Sequence, residues 1–484
     1  MRRGEVVSIH AVCEIDDVVE AFEKTAHARG DAAAILHNGA VITYQFLAER
    51  IVRIADRYRR ACADGDSSDP LGVEVSHHPA TVEHLLGALR AGGAYCPIDT
   101  ALPVARRRAL VEAFTAGVID SSAAYVLCTS GSTGAPKPVV VSRAALSVTV
   151  RALAELFELT PADRVLQFAS LSWDTCFEEI LPALTSGATV VFDCEAHCGS
   201  MPRFLRMVEQ RRITVLDLPT AFWHELVRYL HEEPVSLPGS LRLVIIGGER
   251  VDPTRLQQWR ALAPHRVGLL NTYGCTETTM VTHAVKLAGV GTEPDVAGRE
   301  DAAPLGRALP HVDEHITDEG ELLVAGPALA TGYLGAQDLT AAAFPVADHG
   351  TGPVRWFRTG DLVSRDANGL LHPRGRVDEQ LKVLGVRVHP AEVEAHLNRH
   401  PAVAGAVVVG VDVLGRTTLT AYVVPALAVT AAVLKRHLRE RLPSQFVPSR
   451  IDFVAELSYT ASGKVDRAGT HRAAAQLESK GAGQ

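Results

Sequence analysis

Thr129-Ser130-Gly131-Ser132-Thr133-Gly134-Ala135-Pro136-Lys137 puts four hydroxyls, two glycines and a lysine into nine residues. The apolar run Ala124-Tyr125-Val126-Leu127-Cys128 precedes it and reads as a buried strand. Glycine lets backbone N–H groups approach an anion, hydroxyls add donors, and a lysine adds a point charge. The stretch is therefore read as a phosphate cradle closing one strand and leading into another, Val139-Val140-Val141. It is not the common nucleotide P-loop, whose lysine directly follows a glycine. The alternative is a plain Gly/Ser surface turn.

A chain of 484 residues is too long for one hydrophobic core, so two or more domains are expected. With 47% hydrophobic and 21% charged residues the composition is that of a globular protein. A net charge of -8 with no long basic run gives no electrostatic support for a nucleic-acid partner. The basic N-terminus lacks the apolar core of a signal peptide. The apolar region 402–433 is broken by Asp412, Arg416 and Pro425, which argues for strands rather than a membrane helix. Eight scattered cysteines without a CxxC pair predict a reduced, cytoplasmic setting. Cys194, His197 and Cys198 lie close in sequence but lack a fourth metal ligand at proper spacing.

Further motifs follow in order. The stretch from Ile42 to Ile51 has helical spacing with Thr43 at its start, and 85–99 reads as a helix stopped by glycines and followed by an extended segment. Ser172-Trp173-Asp174-Thr175-Cys176-Phe177-Glu178, Leu216-Asp217-Leu218-Pro219, Leu243 to Glu249, and Asn271-Thr272-Tyr273-Gly274-Cys275-Thr276-Glu277-Thr278 come next. Then come Thr331-Gly332-Tyr333-Leu334, Trp356 to Leu362 around Asp361, Gly375-Arg376-Val377-Asp378, and Ser462-Gly463-Lys464. From Thr43 to Arg467 this series resembles the adenylate-forming enzymes, and most nearly the amino-acid adenylation domains of nonribosomal peptide synthesis, including those that activate β-lysine or lysine.

The resemblance implies an α/β multi-domain fold. A large N-terminal domain of stacked α/β subdomains (1–377) would bind ATP and an amino acid. A small α+β C-terminal domain (378–484) would move about a hinge at Asp378. It implies that Thr129, Ser130, Gly131, Ser132, Thr133, Gly134 and Lys137 hold phosphate, with Gly248, Tyr273, Asp361 and Arg376 completing the ATP site. Tyr273 would stack on adenine, Asp361 would grip the ribose hydroxyls, Thr276 would contact phosphate, Glu277 would bind Mg²⁺, and Lys464 would be the catalytic lysine. Pro138 stands where the family usually has glycine, Cys275 where it has proline, and His389 and Ala391 where it has an acidic residue and glycine. The stretch between Asp99 and Tyr125 is short for the family.

In the family an aspartate at the position of Asp174 binds the substrate's amino group; the competing reading makes it a helix cap. The pocket positions correspond to Asp174, Thr175, Glu178, Asp217, Ile245, Gly247, Thr272, Met280, Val281 and Lys464. Asp174 and Glu178 are four apart and share a helix face. An apolar substrate would leave Glu178 and Asp217 without a partner, so a diamino acid is expected: β-lysine, lysine, ornithine or 2,3-diaminopropionate. Gly247 is expected to leave depth, and Met280 to fill or adapt to the end. The competing reading pairs both acids with protein arginines. No carrier-serine motif follows Arg467, so the expected partners are a separate carrier protein with a phosphopantetheine arm and a small helper of the MbtH-like type. An acyl- or aryl-CoA ligase and a degenerate, non-catalytic adenylate-binding module are the competing functions.

Overall fold

The computed structural model describes residues 16–63, 72–130, 136–262, 266–292, 296, 303–350, 352–413, 416–458 and 465–481. Its centre is a nine-stranded sheet. In spatial order the strands are Arg307–Ala308, Val281–Ala288, Gly268–Gly274, Leu243–Gly247, Val215–Pro219, Arg164–Leu166, Thr189–Phe192, Ala33–His37 and Ala40–Thr43. The inner strands are parallel and the edges antiparallel. Thr189–Phe192 is buried at every residue, with no inside–outside alternation, as a parallel strand covered on both faces must be. Helices Thr175–Thr185 and Thr220–Glu232 are among those that cover it.

Ala123–Thr129 and Lys137–Ser142 form an antiparallel pair that brings Thr129 opposite Lys137, so the expected strand–loop–strand is present. The loop's Gly131, Ser132, Thr133 and Gly134 lie outside the described residues. The helix expected from Thr43 runs over Tyr44–Ala63, with Thr43 Oγ1 accepting from the Phe46 N–H at 3.2 Å. The second expected helix is Ala80–Ala91, ended by Gly92 at φ 86°. A four-stranded sheet made of Asp313–Ile316, Glu321–Ala325, Phe357–Arg365 and Leu371–Arg376 completes the large domain.

Beyond Arg376 a separate core begins. It holds the hairpin Leu381–Val383/Val386–Val388, the helices Pro390–Asn398 and Ala431–Arg439, and a three-stranded sheet of Val403–Val413, Arg416–Pro425 and Arg450–Phe453. The apolar region 402–433 thus supplies two long strands, as its breaks predicted. Among the described residues no helix is long and apolar enough to cross a membrane. In an open α/β sheet ligands bind beyond the carboxyl ends of parallel strands. Asp217, Gly247 and Thr272 stand at or near those ends on three adjacent strands.

Candidate active site

A cavity of about 350 Å³ opens there, between the large domain and the 381–388 hairpin. Asp174, Thr175, Glu178, Asp217, Gly247, Thr272, Met280 and Val281 all line it, together with Thr129, Gly248 and Thr276. Ile245 lies beside Asp217 in register but is packed in the large core, off the cavity wall. Lys464 lies outside the described residues.

Asp174 occupies the N-cap position of helix Thr175–Thr185, yet its side chain makes no capping bond. Its Oδ2 is shut off from solvent and has no partner. Burial pushes its carboxyl up to about 6, against a hydrogen bond from Thr276 that lowers it. Glu178 is 8% and Asp217 5% exposed, and Asp217 Oδ2 is a second orphan oxygen. Burial raises both carboxyls, and for Glu178 the nearby Asp217 and Asp174 raise it further. Among the described residues no arginine or lysine forms an ion pair with either. Three acids therefore converge on one cavity with no ion-pair partner among the described residues, although Arg387 and Lys382 line the same cavity and Arg387 acts on Asp174 from a distance.

The neighbouring Glu179 is a contrasting case. It accepts from the Phe168 and Ala169 N–H groups, both at 2.9 Å, and from Gln167 Nε2 at 3.0 Å. It thereby pins the loop that carries Phe168 into the cavity wall. Glu179→Ala leaves two buried N–H donors unsatisfied and is expected to cost about 2–4 kcal/mol, read as a lowered urea midpoint with unchanged m-value.

Gly247 lines the cavity, and a Cβ there would fall 2.6 Å from Thr272 Oγ1 on the same wall, so the glycine also makes room for that neighbour. Thr279 and Met280 follow at φ 55° and 71°, strained for side-chain-bearing residues. The turn is held because Gly274 packs its Cα against the Met280 carbonyl, where a Cβ would come within 1.8 Å.

On the nucleotide side, Tyr273 OH donates to Asp361 Oδ2 at 2.7 Å, and Arg376 Nη1 holds Asp361 Oδ1 at 2.5 Å. Arg376 also grips Asp378 through Nε at 2.6 Å and Nη2 at 3.0 Å. Asp378, Arg376, Asp361 and Tyr273 thus form one chain of contacts. Glu277 is 3% exposed and receives Arg387 Nη1 at 2.6 Å and Tyr333 OH at 3.1 Å. Burial pushes its carboxyl up, but Arg387 and Tyr333 outweigh this and hold it below the ordinary value. A buried carboxylate kept ionised suits a hard divalent cation, so the residue present fits Mg²⁺.

Sequence reasoning missed Arg387, Lys382, Tyr333 and Gln445 as site residues. Lys382 Nζ stands 5.5 Å from the Tyr273 ring centroid, and Gln445 lines the cavity from the small domain. Tyr333 carried a signal as part of the Thr331–Leu334 motif, to which no site role was given. Arg387 is 110 residues from its partner, and nothing local marks it.

The family model "AMP-binding enzyme" matches residues 120–334, and "AMP-binding enzyme C-terminal domain" matches 392–464. The isonitrile lipopeptide synthase of Streptomyces coeruleorubidus is 37% identical over 91% of this chain, which spans about a third (32%) of that relative's length. Novobiocin biosynthesis protein H of Streptomyces niveus is 30% identical over 93% of this chain and 82% of its own. Among solved structures, an artificially fused adenylation–PCP di-domain from Klebsiella oxytoca superposes with a TM-score of 0.76 at 22% identity, covering 91% of this chain and 94% of that one. Motif order, family models and relatives agree: the chain belongs to the AMP-binding enzymes.

Proposed function

We propose that the protein activates a basic diamino acid, with ATP, as its aminoacyl-AMP, and then passes the acyl group to the phosphopantetheine thiol of a carrier protein. The observation that carries this reading is the convergence of Asp174, Glu178 and Asp217 on one cavity, with no ion-pair partner among the described residues and with Asp174 Oδ2 and Asp217 Oδ2 unpartnered. Asp174 would take the amino group next to the reacting carboxylate. Glu178 and Asp217 would take the second ammonium. A ligand with two positive charges offsets the desolvation of all three acids at once. Lysine, β-lysine, ornithine and 2,3-diaminopropionate meet that requirement.

In the first half-reaction the substrate carboxylate attacks the α-phosphorus of ATP, the bond to the β-phosphate oxygen breaks, and pyrophosphate leaves. Mg²⁺ held by Glu277 would supply charge neutralisation at the phosphates. Thr129, Ser130 and Lys137 edge the phosphate loop, and Ser130 Oγ is buried without a partner. Lys464 would stabilise the charge moving between carboxylate and α-phosphate. In the second half-reaction the carrier thiol attacks the acyl carbon and AMP leaves.

We assign the observed docking of the small domain to this second step. The 381–388 hairpin faces the cavity, while Arg467, three residues past Lys464, is tied to Glu379 and Glu394. A separate carrier is supported by the adenylation–PCP pairing named for the Klebsiella structure; an MbtH-like helper belongs to the same reading, tested by co-expression.

ATP–pyrophosphate exchange across lysine, β-lysine, ornithine, 2,3-diaminopropionate, phenylalanine and a fatty acid tests the substrate. Exchange with one diamino acid at least tenfold above phenylalanine is expected. Preference for phenylalanine or the fatty acid would overturn the assignment of Glu178 and Asp217.

A further inference from the structure

The hairpin that faces the cavity also meets the residues assigned to the nucleotide. Arg387 lies on Glu277 at 2.6 Å, with side chains 15% and 4% exposed. Lys382 stands over the Tyr273 ring. The hairpin tip is seated by its own contact: the Gly385 N–H donates to Glu249 Oε1 at 2.8 Å. A Cβ on Gly248 would come 3.3 Å from the Gly385 Cα, so a glycine at each position lets the two backbones meet.

A buried carboxylate that stays ionised is costly to leave without a counter-charge, and Glu277, unlike Glu178 and Asp217, is held below the ordinary value. In the arrangement seen, Oε2 of Glu277 is filled by Arg387 and Oε1 by Tyr333. A divalent cation approaching this carboxylate would meet the Arg387 guanidinium already seated on Oε2. We propose that Arg387 and Mg²⁺ are alternative occupants of the Glu277 carboxylate. MgATP would enter only after the hairpin has withdrawn, and Arg387 would return to Glu277 once magnesium pyrophosphate has left. Arg387 is thus a positioning residue that acts through Glu277 and makes the position of the small domain depend on metal occupancy. The inference rests on the reading that Glu277 holds Mg²⁺.

A site that is open in only a fraction of molecules binds its ligand more weakly by that fraction. Removing the competing arginine should therefore strengthen MgATP binding, whereas loss of an ordinary structural contact would weaken it or leave it unchanged. The test is calorimetric titration of a non-hydrolysable MgATP analogue into wild type, Arg387→Ala, Arg387→Lys and Glu277→Gln, at several Mg²⁺ concentrations. Arg387→Ala is expected to bind roughly five- to tenfold more tightly and to need correspondingly less Mg²⁺, with Arg387→Lys closer to wild type. In wild type, adding the Mg²⁺ complex should speed hydrogen exchange at the Gly385 amide. Unchanged or weaker binding by Arg387→Ala, with wild type binding the Mg²⁺ complex normally, overturns the inference. If wild type binds the nucleotide equally well with and without Mg²⁺, the metal assignment at Glu277 fails and the inference fails with it.

Discussion

Replacing Glu178 and Asp217 together by Gln and Asn is expected to lower diamino-acid-dependent pyrophosphate exchange at least about a hundredfold and, at the same time, to make the ligand-free protein more stable at pH 7. Both effects have one cause. The two carboxylates are buried, raised in pKa by that burial, and lack ion-pair partners among the described residues. In the ligand-free protein they are a cost that only a cationic substrate offsets. A hundredfold loss corresponds to about 2.7 kcal/mol, just under the roughly 3–5 kcal/mol for leaving one buried charge unpaired.

The sign of the stability effect follows from linkage. A carboxyl whose folded pKa lies above its unfolded value binds more protons in the native state. Its stabilising contribution is present below about pH 4, the unfolded value, and is lost as pH rises through the raised one. For Asp174, at about 6, the loss falls between about pH 4 and 6; for Asp217 it extends to about 7. The double variant removes part of this slope. Its melting temperature should exceed wild type by a few degrees at pH 7 and match it near pH 4.

A substrate ammonium also replaces protons on these groups, so diamino-acid affinity should rise from pH 5 to pH 8 in wild type and much less in the variant. A variant that keeps exchange with lysine-type substrates, or melts lower at pH 7, would remove the substrate assignment. Glu179, one residue on, supplies the control. Its carboxylate is filled by three donors, and its removal should destabilise at every pH.

Much of this site was legible in the sequence because its parts are local. Asp174 and Glu178 share a helix turn, Asp217 ends an apolar strand, and Thr276 and Glu277 follow a strand directly. Such features survive being read one window at a time. Asp174 shows the limit of that reading. A helix N-cap suits aspartate as well as a ligand site does, and only the absence of a capping bond and the orphan oxygen separate the two roles. Gly247 shows another: a glycine in a pocket motif says that a Cβ is unwelcome, not which side would object, and here the objector is Thr272. The cations that complete the site were hidden for a different reason. Arg387 and Lys382 lie in a short amphipathic hairpin and gain their meaning only when two domains meet.

Arg106 was hidden in the same way, and it carries the second large effect. Arg106→Ala is expected to slow acyl transfer to the carrier by about ten- to a hundredfold while leaving pyrophosphate exchange within about threefold of wild type. Arg106 projects from helix Val104–Phe114 of the large domain and reaches Glu392 of the small domain at 2.7 Å, with side chains 9% and 0% exposed. Its guanidinium also lies 5.8 Å from the Phe446 ring, a second small-domain contact. In this docked arrangement both charges are taken out of water, and breaking such a pair by removing one partner costs about 3–5 kcal/mol.

That cost applies only where the small domain sits as seen. The variant therefore depopulates the docked state, and a step that needs this state slows in proportion to the lost population. If, as proposed, the first half-reaction uses another placement of the small domain, it does not share the loss. The apolar double substitution Arg106→Met with Glu392→Leu tests the electrostatic argument directly, because well-packed apolar residues replace a buried ion pair at little net cost. It should recover most of the transfer rate that Arg106→Ala loses. Equal losses in both half-reactions would make Arg106 a contributor to folding alone, and an unaffected transfer rate would mean that the interface holds without the pair.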